Sequence, residues 1–168
     1  MAPQPWLRMS GHNALTIANA LISKKTEWME RRAFLSSIFD SDGSRIDTAM
    51  ILYMKGPRSF TGEDVVEISC HGNPLIVDAI IERAIQLGAR VARNGEFTRR
   101  AVENNKLSLL QAEALNELIH SVSIEGNQVA QAGLAGQVDD NEQEIREKLL
   151  DICAEIKISR RLDNILRA

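Results

Sequence analysis

The stretch SFTGEDVVEISCHGN, Ser59 to Asn73, sets a loop of small and acidic residues directly against a run of β-branched ones. Val65 to Cys70, bounded by Gly62 and by Gly72-Asn73, has the length and composition of a strand. Alternation then places Val66, Ile68 and Cys70 on one face and Val65, Glu67 and Ser69 on the other. A carboxylate inside such a strand has two readings. It sits on the solvated face of a half-exposed strand, or it is aimed into a pocket to accept paired N–H bonds from a heterocycle. A pterin ring presents such an edge, a ring N–H beside an exocyclic amine, which a carboxylate meets with two charge-assisted bonds. Spacing leaves both readings open.

The loop just before the strand invites comparison with a phosphate-binding loop. A Walker loop needs four residues between its glycines and then Lys-Ser/Thr, so that backbone amides and an ammonium meet the phosphates. Here five residues separate Gly56 from Gly62, and Glu63-Asp64 follow. Two carboxylates there would repel a phosphate, and the 168 residues contain no GxxxxGK[ST]. Hydrolysis of GTP or ATP by this chain alone is not expected.

Working outward, AFLSSIFDSDGSRIDTAMILYMK reads as a hairpin turning at Asp40–Ser44. WLRMS, Trp6 to Ser10, reads as a short strand containing Arg8. Gly11 breaks it, and Asn13 can cap a helix over ALTIANALI, with Leu15, Ala18 and Leu21/Ile22 at helical spacing. Beyond the central strand, PLIVDAIIERAIQLG starts on Pro74 and stops at Gly88 as a helix should. ARVAR, Ala89 to Arg93, is strand-like, and GEFTRRAVENN is a brief polar helix. From Leu109 the apolar residues repeat at helical spacing, through Leu110, Ala114, Leu115 and Leu118 and again through Ile145, Leu149, Ile152 and Ile156. The expected fold is therefore mixed α+β over 1–108, followed by long amphipathic helices over 109–168.

Composition bounds the function. Hydrophobic content of 44% builds a core, with only 4% aromatic residues, so Leu, Ile, Val and Ala must fill it. A net charge of −3 gives no global footprint for nucleic acid, so any RNA contact is local or supplied by a partner. Cys70 and Cys153 form no CxxC pattern and read as reduced thiols. No run of 18 apolar residues and no signal peptide is visible, which points to a cytoplasmic, membrane-free setting. His71 beside Cys70 does not make a metal site, because neighbours on a strand face opposite ways and no other Cys/His pair has ligand spacing. His71 is expected to shape the turn before Pro74, and His120 to lie on a helix surface. Arg90, Arg93, Arg99, Arg100 and Lys106 form either a solvated face or a cationic rim for an anionic ligand tail.

Several blocks occur together and in order: Arg8-x-Ser10-Gly11, Asp40-x-Asp42-Gly43, Gly56-Pro57-x-Ser59-Phe60-Thr61-Gly62-Glu63-Asp64-Val65-x-Glu67, His71-Gly72, Gly95-Glu96-Phe97-Thr98-x-Arg100-Ala101, and Asn104-x-Lys106-Leu107-x-Leu109-x-Gln111-Ala112-Glu113-Ala114. Over roughly residues 7 to 120 they resemble the N-terminal domain of the tRNA modification GTPases MnmE (TrmE). The resemblance implies a folate-binding domain like the tetrahydrofolate domain of aminomethyltransferases, which dimerises and binds 5-formyltetrahydrofolate at or near the dimer interface. Its folate contacts, carried over by motif, are Arg8, Glu67 and Lys106. It implies work with an MnmG-type flavoprotein that installs an aminomethyl-type group on C5 of the tRNA wobble uridine. GTP, potassium and magnesium would be handled by a separate G domain.

The sequence also departs from the pattern. Only MAPQPWL precedes Arg8, His71-Gly72-Asn73 stands where the family has H-G-G, and Asn94 stands where it has proline in R-P-G-E-F. The G domain and the C-terminal Cys-x-Gly-Lys tail have no counterpart in these residues, and Cys153 is not that tail's cysteine. The alternative expectation is accordingly an interaction or dimerisation module that no longer binds folate.

Overall fold

The structure, a computed structural model, describes residues 5–22, 28–136, 145, 147 and 148. The chain forms two compact units, Met1–Lys106 and Leu107–Ala168. In the first, β1 (Trp6–Ser10), β2 (Phe34–Phe39), β3 (Arg45–Met54) and β4 (Val65–Ser69) make one antiparallel sheet in the order β1-β4-β3-β2. Helices α1 (Ala14–Leu21), α2 (Pro74–Gln86) and α3 (Glu96–Glu103) complete the unit. The architecture is mixed α+β.

The SFTGEDVVEIS stretch enters the sheet as β4, between β1 and β3. All five residues of β4 are buried, because a central strand has neighbours on both edges. Val66, Ile68 and Cys70 join Leu21, Ile38, Ile51 and Ile80 in the hydrophobic core. Each such side chain contributes on the order of 1.5–3 kcal/mol by leaving water. At the β2–β3 end, Trp28 meets Phe34 and Tyr53 edge-on at 5.2 and 5.9 Å between ring centres. The hairpin turn closes with the Asp40 N–H donating to the Ser44 carbonyl at 2.9 Å. Gly43 there holds φ 84°, a conformation costly for any residue with a Cβ.

Helix α2 shows how one departure from the family pattern is used. Asn73 caps it by accepting from the Leu75 N–H at 3.0 Å, and Pro74 takes the first turn where no N–H is needed. His71 follows β4, and its N–H and Nδ1 meet the Asp47 carboxylate at 2.9 and 2.8 Å, tying the turn to β3. That is the turn-shaping role expected of it.

Two expectations change. Ala89 to Arg93 is not a strand: its Arg90 side chain reaches to α3 and grips Glu96, which wraps the segment around the start of that helix. Among the described residues, the helices after Leu109 are shorter than expected. Within the second unit, α4 (Leu109–His120) and α5 (Ile124–Leu134) have 12 and 11 residues. The long helices expected over 109–168 are interrupted between His120 and Ile124. Ser123 ends the α4 pattern by capping a new helix, accepting from the Gly126 N–H at 3.0 Å. Ser108 and Gln111 cap α4 reciprocally, and His120 is exposed at its end as expected. The apolar stripe from Leu149 through Ile156, and Cys153 with it, lies outside the described residues. Among the described residues no helix is long and apolar enough to cross a membrane.

Candidate functional site

Antiparallel pairing sets Arg8 of β1 directly across from Glu67 of β4. Both point to the sheet face away from the Val66–Ile68–Cys70 core, since each lies one residue from a core-facing neighbour. The Arg8 Nε donates to Glu67 Oε1 at 2.7 Å, and Nη2 lies 2.6 Å from the same oxygen. Glu67 is therefore neither on a solvated face nor alone. Its side chain is 11% exposed against 43% for Arg8. No hydrogen bond among the described residues reaches Oε2. The Arg8 guanidinium carbon sits 5.9 Å from the Phe60 ring centre and 5.8 Å from that of Phe97, within cation–π range of both.

Two residues further along β1, Ser10 fastens the loop that precedes β4 to the same face. Its hydroxyl pairs with the fully buried Thr61 hydroxyl at 2.7 Å and donates to Glu63 Oε2 at 2.7 Å. Arg100 Nη1 of α3 donates to that same Glu63 oxygen at 2.8 Å. Asp64 turns the other way, accepting from the Gly56 N–H at 2.9 Å, and so closes the loop on itself. The two acids that argue against a phosphate site are thus the fastenings of the loop.

Helix α3 joins the assembly from its far end. Asn104 donates to the Thr61 carbonyl at 2.7 Å. Lys106 follows, exposed, with its aliphatic stem against Gly62: a Cβ added at that glycine would lie 3.3 Å from Lys106 Cγ. Arg8, Glu67 and Lys106 are thus held by three elements that one loop ties together. Arg8 and Glu67 touch. Among the described residues no hydrogen bond or ion pair joins Lys106 to either of them.

The arginine cluster resolves into two kinds. Glu96, 6% exposed, is gripped by Arg90 through both oxygens, accepts from the Arg93 N–H at 2.8 Å, and receives Arg100 Nη2 at 2.7 Å. Arg90 foremost, then the Arg93 N–H and Arg100, hold its carboxyl far below the usual range. Burial pushes the Glu63 carboxyl up, but the Ser10 hydroxyl, Arg100 and His12 outweigh it and hold it below its ordinary value. Arg99 pairs with Glu103 at 3.2 Å, leaving Arg93 and Lys106 without an anionic partner among the described residues.

Because both shifts are downward, the folded state binds these protons more weakly than the unfolded chain. The stability this provides is fully present above the unfolded carboxylate value of 4.5 and is lost as the pH falls below it. Melting temperatures should be level from about pH 7 to about pH 5 and fall below that. Glu96→Gln should lower the plateau and flatten the acid limb. A parent melting curve unchanged down to about pH 3 would count against the cluster as a stabiliser.

A cleft of about 700 Å³ opens along the free edge of β1, lined among others by Met9, Ile17, Ile80, Ala84, Arg90 and Glu96. Arg8 alone of the three sequence-derived residues reaches it; Glu67 and Lys106 do not. The residues that build the Glu67 surroundings but escaped the sequence reading are Ser10, Phe60, Thr61, Phe97 and Asn104. All five stand in the motif blocks, and Ser10 also stands two residues from Arg8 and so on the same face. Among the described residues no group of His, Cys, Asp or Glu is placed to hold a metal, and Cys70 is buried and unpaired.

Comparison with known proteins yields one family. The profile described as "GTP-binding protein TrmE N-terminus" matches residues 4–106. Proteins named "tRNA modification GTPase MnmE" are similar at 43% identity over 153 residues in Aliarcobacter butzleri (91% of this chain, 34% of that protein). Those of Pseudothermotoga lettingae and of Synechococcus sp. strain JA-3-3Ab are each 39% identical, over 152 and 154 residues, with 90% of this chain and 34% of the relative covered. The similarity thus runs past the last of the motif blocks. The chain spans about a third of the length of these curated relatives.

Proposed function

The chain belongs to the family of TrmE N-termini found in tRNA modification GTPases MnmE, and from that premise we propose that it is their folate-binding and dimerisation portion. Its ligand is 5-formyltetrahydrofolate or a related tetrahydrofolate, held by Arg8, Glu67 and Lys106. Its fold is akin to the tetrahydrofolate domain of aminomethyltransferases. In this reading it acts in the cytoplasm, with an MnmG-type flavoprotein, in adding an aminomethyl-type group to C5 of the tRNA wobble uridine. Hydrolysis of GTP, with potassium and magnesium, belongs to a G domain outside these residues.

The observation that carries the reading is Glu67. A nearly buried carboxylate stands on an otherwise core-forming central strand, with one oxygen unbonded among the described residues and two aromatic rings a few ångströms from its partner. Burying a carboxylate is costly, and a strand interior does not need one. A ring N–H beside an exocyclic amine suits the open oxygen and its neighbour. The exposed ammonium of Lys106 suits the glutamate tail of a folate, at the water-facing end.

Calorimetry with 5-formyltetrahydrofolate tests this directly. A saturable, enthalpic isotherm is expected. Lys106→Ala should weaken it by no more than about fivefold, because a water-exposed pair is worth about 0–1 kcal/mol. A well-folded sample that gives no heat at high micromolar concentration would support an interaction module without folate instead.

The dimer has a candidate surface on the face that bears Glu67. Trp6, Ser69, Met50 and Leu35 stand in one cross-strand row spanning all four strands. Trp6, Met50 and Leu35 are 62%, 45% and 74% exposed. An apolar row of that length is suited to being covered. Leu35→Lys should shift sedimentation toward the monomer. A parent protein monomeric at all concentrations would remove the dimer from the proposal.

A further inference from the structure

The carboxylate proposed to read a heterocycle is already in use, and by a group of the same shape. Arg8 sets two nitrogens attached to one carbon against Glu67 Oε1, with Nε donating at 2.7 Å and Nη2 in ion-pair contact at 2.6 Å. A pterin edge is built in the same way, with a ring N–H and an amino group flanking one carbon. The guanidinium also lies near the Phe60 and Phe97 rings, at 5.9 and 5.8 Å, where a flat heterocycle would find aromatic surface.

From this geometry we infer that Arg8 is a displaceable internal occupant of the Glu67 site. The ligands the site accepts are then flat groups with a guanidine-type edge, and they take Glu67 by evicting Arg8. The inequality of burial sets the direction of exchange. Arg8 is 43% exposed and can move into water at little cost, whereas Glu67, at 11%, must always have a donor. The freed guanidinium then turns to the anionic part of a larger ligand. The identity of the natural ligand rests on the folate reading; the exchange does not.

Eviction lowers the apparent affinity by the fraction of molecules in which Glu67 is open. Tail-free pterin (2-amino-4-oxopteridine), which offers Arg8 nothing in return, should therefore bind Arg8→Met about tenfold more tightly than the parent. Methionine keeps an unbranched side chain near the rings and removes the donors, and Arg8→Ala serves as a second variant. 5-Formyltetrahydrofolate should gain less, because its anionic tail loses a partner. In a second arm, low millimolar methylguanidinium should raise the melting temperature of Arg8→Ala by filling the vacated place. It should do nothing for Arg8→Ala/Glu67→Gln.

Pterin bound no more tightly by Arg8→Met than by the parent overturns the exchange. So does methylguanidinium that leaves Arg8→Ala unmoved, or that stabilises the double variant equally. If neither pterin nor 5-formyltetrahydrofolate binds any of these proteins, it is the folate reading that has failed. The methylguanidinium arm alone then decides the exchange.

Discussion

Glu67→Gln should weaken 5-formyltetrahydrofolate by about ten- to a hundredfold, or about 1.5–3 kcal/mol. The substitution keeps the size of the side chain but removes the charge, and it turns an amide donor toward the donors of the ring. The loss is large because the side chain is nearly buried, so water cannot replace the missing acceptor. Folding should change far less, by about 1 kcal/mol or under, since Arg8 is exposed enough to turn into solvent once released. Binding measured by calorimetry, beside the midpoint of chemical denaturation, separates the two effects. A variant that binds as tightly as the parent, or one that unfolds, would make Glu67 a structural residue and move the ligand elsewhere.

Ile68→Ala, one residue further along the same strand, should do the reverse. Its side chain is 2% exposed and faces the helices, with Leu7 and Ile51 as cross-strand neighbours. Truncation there should cost about 2–5 kcal/mol, the loss of transfer energy plus a cavity that a sheet clamped on both edges cannot close. Ligand affinity extrapolated to the fully folded fraction should stay within about twofold, because the altered face is not the one that bears Glu67. The measurement is a urea titration followed by ligand titration under strongly folding conditions. A variant as stable as the parent would mean that β4 is not the core of the sheet. The pair of substitutions thus tests a single geometric statement, that neighbours on β4 serve opposite faces.

That alternation was legible in the sequence because it is local. A period of two, β-branched residues and flanking glycines specify a strand and its faces without reference to the rest of the chain. The hairpin at Asp40–Ser44, the Pro74 helix start and the helix over Glu96–Glu103 were legible for the same reason, each depending on a few adjacent residues. The strand expected at Ala89–Arg93 failed because its fate depended on a distant competitor. Arg90 gains more from Glu96 than its backbone gains from an extended run with no strand beside it.

What the sequence by itself determined is the order of elements from β1 through α2, the side of β4 on which Glu67 stands and, through its motif blocks, the family. It could not determine what Glu67 meets. Strand order and register decide that, by bringing Arg8 across from it over 59 residues of chain. In the same way, tertiary structure alone turned Glu63 and Asp64 from supposed repellers of phosphate into fastenings of a loop, and sank Arg90 and Arg100 onto Glu96. The reason is physical. Backbone preferences act over a few residues, whereas a charged side chain settles wherever its desolvation is best offset, and that partner is chosen by packing.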